Sequence, residues 1–413
     1  MKTFQRITLR LQVIFISLFI FTISFPYQVI PDIGKYISRY FEKPEKWIGD
    51  HILRIKHPYT TQIISDSTGM YIHLFIIVLI ALFIAIVWSR YAGKMQNDVR
   101  LRYGRNVLIS YYLSMQLLIY GFDKVFKQQF YLPEPNTLFT PLGQFSKDIL
   151  YWSTMGSSWS YSVFAGMLEI IPALLLLFRR TRTLGAMIAT MVLINVVAIN
   201  FSFDISVKLY SCFLLFLAII LSLPGIKKLY FVFIQNKIVN TELKGPVINS
   251  KKHLLIYSVS KSLIIGCLLY ETLFIYFKTG NFNDDLASRP FLHGAYDIEV
   301  YNENNDTLTA SLNAKRRLKR IFIHKHGYFI TQSMTDEMVD YKFEYDFTNK
   351  KLELYRRDDT GNVLYFIRQD SVLFLKGKIG NKFITMQARQ IDTGKLPLLQ
   401  NSFHWTIDDY ERE

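Results

Sequence analysis

Five ionisable side chains and several amides sit where an apolar chain tolerates them least. Glu169, Asp123, Lys124, Asp204 and Lys208, together with Gln116, Tyr120, Asn195 and Asn200, lie inside or at the ends of long apolar stretches. A carboxyl beside an ammonium in a low-dielectric layer can relay a proton, balance the charge of a ligand, or lock two helices together. Because such groups are costly to bury in lipid, each is a functional-site candidate. Glu169, deep in its stretch and followed by Pro172, is the sharpest of them. Glu271 lies nearer an outer end, and Lys261 is expected to snorkel inward. Catalytic residues are not assigned, because no spacing fixes a nucleophile and its base. No CxxC, HExxH or clustered His/Cys pattern occurs, and Cys212 and Cys267 sit within apolar stretches as packing residues. No metal site, disulfide framework or thioredoxin-like centre is therefore expected.

The spacing of these residues restricts what they can build. Gln116, Tyr120 and Lys124 are four apart, and Asn200, Asp204 and Lys208 repeat that step across a tight turn. Ser162, Gly166 and Glu169 share one helix face, with Ala165 and Ala173 beside them, and small residues there let a neighbouring helix approach closely. At 1.5 Å per residue, Gln116, Glu169 and Asn195 lie deepest, ~12–14 Å from the outer ends of their helices. Common depth predicts one polar pocket opening outward. The competing reading is an internal ion-pair network that fixes helix register and holds no ligand.

Seven stretches are long enough to carry these residues through a bilayer: 10–30, 70–89, 106–123, 160–178, 183–203, 205–224 and 254–277. The 413 residues include 48 Lys plus Arg and 33 Asp plus Glu. Up to Lys278 there are 29 basic and 13 acidic residues, and beyond it 19 and 20, so the excess of positive charge belongs to the first part alone. Its basic residues punctuate apolar runs instead of covering one exposed face, which argues for positive-inside topology and against nucleic acid. One set of loops, with the N-terminus, collects 17 basic residues, including Arg90, Arg100, Arg179 and Lys227. The opposite loops carry ten. The N-terminus is therefore expected in the cytoplasm, and an odd number of spans puts the C-terminus outside. Lys2, Arg6 and Arg10 precede an apolar run too long for a cleaved leader, which reads as an uncleaved anchor.

Beyond the Asn, Asp and Gly-rich linker 279–290 the periodicity changes. Tyr341, Phe343, Tyr345 and Phe347 alternate with Lys342, Glu344 and Asp346, the pattern of a half-buried antiparallel strand. Turn signals at 348–350, 358–362, 369–370 and 379–381 separate about eight short strands, predicting an all-β antiparallel meander closed into a barrel or sandwich. His293, His324, His326 and His404 show no metal-ligand spacing, and the run Lys315, Arg316, Arg317, Lys319 and Arg320 reads as a charged strand edge. A binding or docking module is expected here.

The segment from Gly121 to Phe126 (GFDKVF), the run Glu169 to Thr181 (EIIPALLLLFRRT), and Asn195 to Lys208 together resemble the DoxX-like membrane proteins. The likeness covers roughly Leu108 to Pro224. It implies a four-helix membrane core and a family named after a subunit of a thiosulfate:quinone oxidoreductase. The longer layout, with flanking spans and a tail ending Ser402-Phe403-His404-Trp405, looks like DoxX-family proteins of Bacteroidota-type bacteria, although Asp408 to Arg412 departs from their usual ending. A more distant likeness is to the vitamin K-dependent carboxylase group, whose catalytic lysine has no counterpart established at Lys124 or Lys208. The expected organisation is 1–105, two spans and an exoplasmic loop; 106–224, the DoxX-like core; 225–278, a cytoplasmic loop and seventh span; and 291–413, an exoplasmic β domain. The resemblance implies a bacterial inner-membrane protein with the lipid bilayer as its solvent. It implies an accessory subunit of a redox or quinone-linked complex, with quinone as the implied ligand and no cofactor of its own evident. The alternatives are a scaffold or assembly factor docking an extracytoplasmic protein, and a lipid or small-molecule carrier.

Overall fold

The computed structural model describes residues 2–91, 96–237, 250–304, 306–308, 317–356, 359–400 and 405. His404, Lys315, Arg316 and residues 408–412 lie outside this set. Two compact units emerge, Met1–Gln129 with Ser160–Asn283, and Phe130–Trp159 with Asp284–Glu413. The helices are α1 (Lys2–Thr22), α2 (Ile33–Trp47), α3 (Thr68–Tyr91), α4 (Gln96–Val125), α5 (Pro135–Leu138), α6 (Lys147–Ser157), α7 (Trp159–Leu176), α8 (Arg182–Ser202), α9 (Lys208–Phe233) and α10 (Lys251–Thr279).

Six of them, α1, α3, α7, α8, α9 and α10, are long and apolar enough to cross a membrane. The expected third span, 106–123, is helical within the 30-residue α4, whose polar and charged residues keep it out of that set. Its inner face is nonetheless apolar and buried: Ile109, Leu113, Leu117 and Leu118 pack with Phe19 and Ile16 of α1 and Phe213 and Leu217 of α9. The first expected span, 10–30, ends early, because α1 stops at Thr22. Pro26 and Pro31 follow, and a proline both lacks an N–H and pushes its predecessor out of helical geometry. The residues read as a plain loop between the first two spans instead form α2, with Asp32 as N-cap accepting from the Lys35 N–H.

The second unit is a closed antiparallel β-barrel. Its strands are β1 (Gly294–Glu303), β2 (Asp306–Thr307), β3 (Leu318–His324), β4 (Tyr328–Ser333), β5 (Met338–Asp346), β6 (Lys351–Arg356), β7 (Asp359–Gln369), β8 (Val372–Ile379) and β9 (Lys382–Gln390). Each pairs with the next in a meander from β3 to β9. β1 pairs with both β3 and β9 to close the barrel, and the two-residue β2 only extends a β1 hairpin. Alternation decides the inside. Tyr296, Ile321, Phe329, Leu352, Leu354, Leu364, Leu373 and Met386 fill the interior, each worth roughly 1.5–3 kcal/mol when fully buried. At Gly377 a Cβ would lie 2.0 Å from the Val363 carbonyl oxygen, so only glycine lets β8 follow β7 there. Turns fall at Asp370 and Gly380 as expected, both with positive φ, while the turn expected over 358–362 is mostly strand, since β7 begins at Asp359. Residues 130–159, read from sequence as part of the 106–224 core, cluster with the barrel, where Phe139 stacks on Phe322.

Candidate functional site

The deepest of the expected site residues form one ion pair. Lys124 Nζ of α4 donates to Glu169 Oε2 of α7 at 2.8 Å, and both side chains are buried. Glycine explains how two helices come close enough for this. A Cβ on Gly121 would fall 2.6 Å from Ile170 Cγ1, and one on Gly166 would fall 2.6 Å from the Gly121 carbonyl oxygen. The two backbones therefore touch, one helical turn from the pair. Hydroxyls complete the seam, with Ser162 donating to the Lys124 carbonyl and Ser114 to the Ala173 carbonyl, each at 2.8 Å. The ammonium also lies 3.4 Å from the Tyr120 carbonyl and 5.6 Å from the centre of its ring.

Beside the seam lies a cavity of 1190 Å³, at the end of the unit where α1, α4 and α10 finish and α3 and α9 begin. Tyr27, Tyr120, Tyr210 and Tyr276 line it with Asp123 and Glu271, and Lys35, Arg39 and Glu42 line it from α2. Its polar groups are organised. Tyr276 donates to Asp123 Oδ1 at 2.5 Å, Gln116 Nε2 donates to the Tyr27 hydroxyl at 3.3 Å, and the Tyr210 and Tyr112 hydroxyls meet at 2.9 Å. The Glu271 carboxylate, 2 % exposed, accepts three successive backbone N–H groups, from Gln28 at 2.5 Å, Val29 at 2.9 Å and Ile30 at 2.8 Å. Such a site offers phenol donors, carboxylate acceptors and aromatic faces to a ligand.

The remaining expected residues divide. Tyr120 and Asp123 line the cavity, and Gln116 reaches it through Tyr27. Asn200 is buried, and among the described residues its Nδ2 and the Gln116 Oε1 find no hydrogen-bond partner. Asn195 is exposed on α8, so its depth does not bring it to the pocket. Lys208 belongs elsewhere too. Its ammonium pairs with the exposed Asp204 at 2.7 Å and with Asp66 at 3.7 Å, while the Asp66 carboxylate accepts the Lys208 and Leu209 N–H groups at the start of α9. The expected single pocket is thus a buried pair, a cavity and a separate helix-terminus cluster.

Sequence reasoning missed two further clusters. His73, fully buried in α3, meets Glu45 of α2 through Nδ1 at 2.8 Å and the Thr22 hydroxyl through Nε2 at 2.7 Å. Thr22 itself donates to the Leu18 carbonyl, so its oxygen is the acceptor, and its burial denies it a nucleophile's access to substrate. A histidine in an otherwise apolar span was the available signal. In the second unit Glu134 accepts from His293 Nε2 at 3.1 Å and from the Lys325 N–H at 3.2 Å, and Lys325 Nζ donates to Asp284 at 2.7 Å. Burial pushes the Glu134 carboxyl up, but the His293 hydrogen bond and the charges around it outweigh that and hold it below the usual range. Burial lowers His324 to about 4 against the opposing pull of Glu134. Its Nδ1 accepts the His326 N–H at 3.0 Å, which fixes the ring as an acceptor there. No grouping able to hold a metal ion occurs among the described residues.

Over a 127-residue stretch, 31 % of this chain and 80 % of the relative's length, the sequence is 34 % identical to the uncharacterized protein YwoB of Bacillus subtilis (strain 168). No family model and no solved structure matches the chain.

Proposed function

Taking as its premise that the chain belongs to the family of the Bacillus subtilis protein YwoB, we propose that it is an integral membrane protein binding an amphipathic, quinone-like ligand in the 1190 Å³ cavity. In this reading it crosses the bilayer seven times, α4 included, with the cavity at the outer end and the barrel outside. It serves as an accessory subunit of a redox system, and the DoxX-like reading of Leu108 to Pro224 is part of the proposal. The observation that carries it is the cavity's lining: tyrosine hydroxyls and an Asp123 carboxylate around a space bordered by Phe25, Ile63 and Ile119 suit a headgroup that accepts hydrogen bonds and takes up protons. The sequence carries no haem, flavin, metal or Cys-pair motif, and redox chemistry needs a cofactor or a partner that holds one, which favours the accessory role.

Purification in mild detergent followed by mass spectrometry tests this directly. A co-purifying quinone, lost when Asp123→Asn and Tyr120→Phe are combined, is the expected result. Retention of a phospholipid in its place would overturn the quinone reading in favour of a carrier. A second reading, a scaffold whose barrel docks an extracytoplasmic protein, is favoured by Tyr365 and Ile367, exposed side by side on the outer face of β7. A stoichiometric protein partner in the same preparation would support it. For the topology, alkaline phosphatase fused after Lys278 is expected to be active.

A further inference from the structure

Helix α2 has three separate faces, and only two of them are accounted for. At 100° per residue, Gly34, Phe41 and Glu45 fall within about 40° of one another and anchor the helix. A Cβ on Gly34 would lie 2.4 Å from the Ile23 carbonyl oxygen, Phe41 meets the His73 ring edge-on at 4.9 Å, and Glu45 bonds His73. Lys35, Ser38, Arg39 and Glu42 form the second face and line the cavity. Ile33, Tyr36, Tyr40 and Trp47 form the third, within about 60° of arc. All four are exposed, Tyr40 to 83 %.

We propose that α2 is an interfacial helix whose Ile33, Tyr36, Tyr40 and Trp47 stripe is immersed in the headgroup layer of the bilayer. The inference rests on the membrane-crossing reading of α1 and α3. Those helices flank α2 in the chain, so both ends of α2 lie at one membrane surface. A fixed helix there must leave its free face in water or in lipid. The stripe's composition selects lipid, because tyrosine and tryptophan rings prefer the boundary where one end is apolar and the other wet. Charge agrees: Lys35, Arg39, Lys43 and Lys46 are exposed against a single exposed acid of the helix, Glu42, which suits anionic headgroups. The cavity rim built by Lys35 and Arg39 then stands at headgroup depth, and its ligand enters sideways from the leaflet.

Spin labels measure this in the full-length chain. In a Cys212→Ser, Cys267→Ser background, single labels are placed by Tyr36→Cys, Tyr40→Cys, Lys46→Cys and, in the middle of α3, Leu79→Cys. The protein is reconstituted in vesicles of phosphatidylcholine and phosphatidylglycerol. Collision with oxygen, which concentrates in lipid, is compared with collision with a water-soluble nickel chelate. Labels at 36 and 40 are expected to favour oxygen at one shallow depth, the label at 79 to favour it more strongly, and the label at 46 to favour nickel. Nickel-dominated labels at 36 and 40 would overturn the proposal, as would protection from both reagents, which signals a protein partner or a second copy. A nickel-dominated label at 79 would sink the membrane-crossing reading together with it. Trp47 gives a label-free check: the fluorescence that Trp47→Phe removes is expected to be quenched by lipids brominated near the headgroup. None of these outcomes depends on what the cavity holds.

Discussion

Substituting Glu169 by Gln keeps the side chain's shape and its capacity to hydrogen-bond while removing its charge. At 2.8 Å, and with an effective dielectric constant of about 20, the attraction between Lys124 and Glu169 is roughly 6 kcal/mol before desolvation is counted. Most of that offsets the cost of burying both ions, so the intact pair contributes little net stability. Breaking it is different. The Lys124 ammonium keeps the Tyr120 carbonyl at 3.4 Å but loses the Glu169 carboxylate, in a seam where Gly121 and Gly166 bring the two backbones into contact. The expected loss is about 3–5 kcal/mol. At roughly 2 °C per kcal/mol for a chain of this size, the apparent melting temperature in detergent should fall on the order of 6–10 °C. The double variant Glu169→Gln with Lys124→Met removes both charges and should recover most of the loss. A single variant that melts like the parent, or a double variant no better than the single, would refute the view that the pair locks α4 to α7. If the single variant melts normally but loses a bound ligand, the pair belongs to a binding site.

Three further outcomes are expected. Gly121→Val should abolish the seam, since its side chain meets Ile170 and the Gly166 carbonyl, and the helical unit should lose more than about 3 kcal/mol of stability, read by thermal aggregation in detergent. Glu271→Ala removes a charged acceptor from three N–H groups; water replaces part of it at the exposed residues 28–30, leaving a loss of about 3 kcal/mol, and a change below 1 kcal/mol would show that the contact is not maintained. Because His324 titrates near 4 in the folded barrel and near 6.5 when unfolded, the folded state binds fewer protons between those values. Stability is fully present above pH 6.5 and declines by about 3 kcal/mol on going to pH 4. Infrared melting of the strand signal should show that decline, and His324→Gln should flatten it; Glu134, His326, Lys325 and His293 are the charged and titratable groups that face the ring.

What the sequence made legible follows from the range of the interaction concerned. The Lys124 and Glu169 pairing was readable from depth and from the small-residue face Ser162, Gly166 and Glu169, because helical periodicity is a local property. The barrel was readable for the same reason, from alternation along β5 and turn residues near Asp370 and Gly380. Lys208 misled, since its place in the four-residue series Asn200, Asp204, Lys208 takes no account of Asp66, 142 residues away in the chain and the acceptor that sets the start of α9. Asn195 misled because depth along a helix says nothing about rotation around it. α2 was hidden by Pro44, which breaks the expected pattern, yet falls in a last turn whose Ile48 N–H still reaches the Glu45 and Pro44 carbonyls. The attachment of residues 130–159 to the barrel depends on Glu134, whose partners His293 and Lys325 lie 159 and 191 residues away, beyond any local signal.

The carboxylate of Glu271 also sets an order of events during synthesis. Ile30 is followed by 241 residues of chain before its hydrogen-bond acceptor exists. At ~5–20 residues per second that interval is roughly 10–50 s, far longer than a helix takes to form. Throughout it the amides of Gln28, Val29 and Ile30 lack the carboxylate they bond in the folded chain, and the wall of the cavity contributed by α10 has not yet been made. The first helix is therefore born early but fastened last. A chain that ends before residue 271 would carry α1 and α3 without the carboxylate that latches the segment between them.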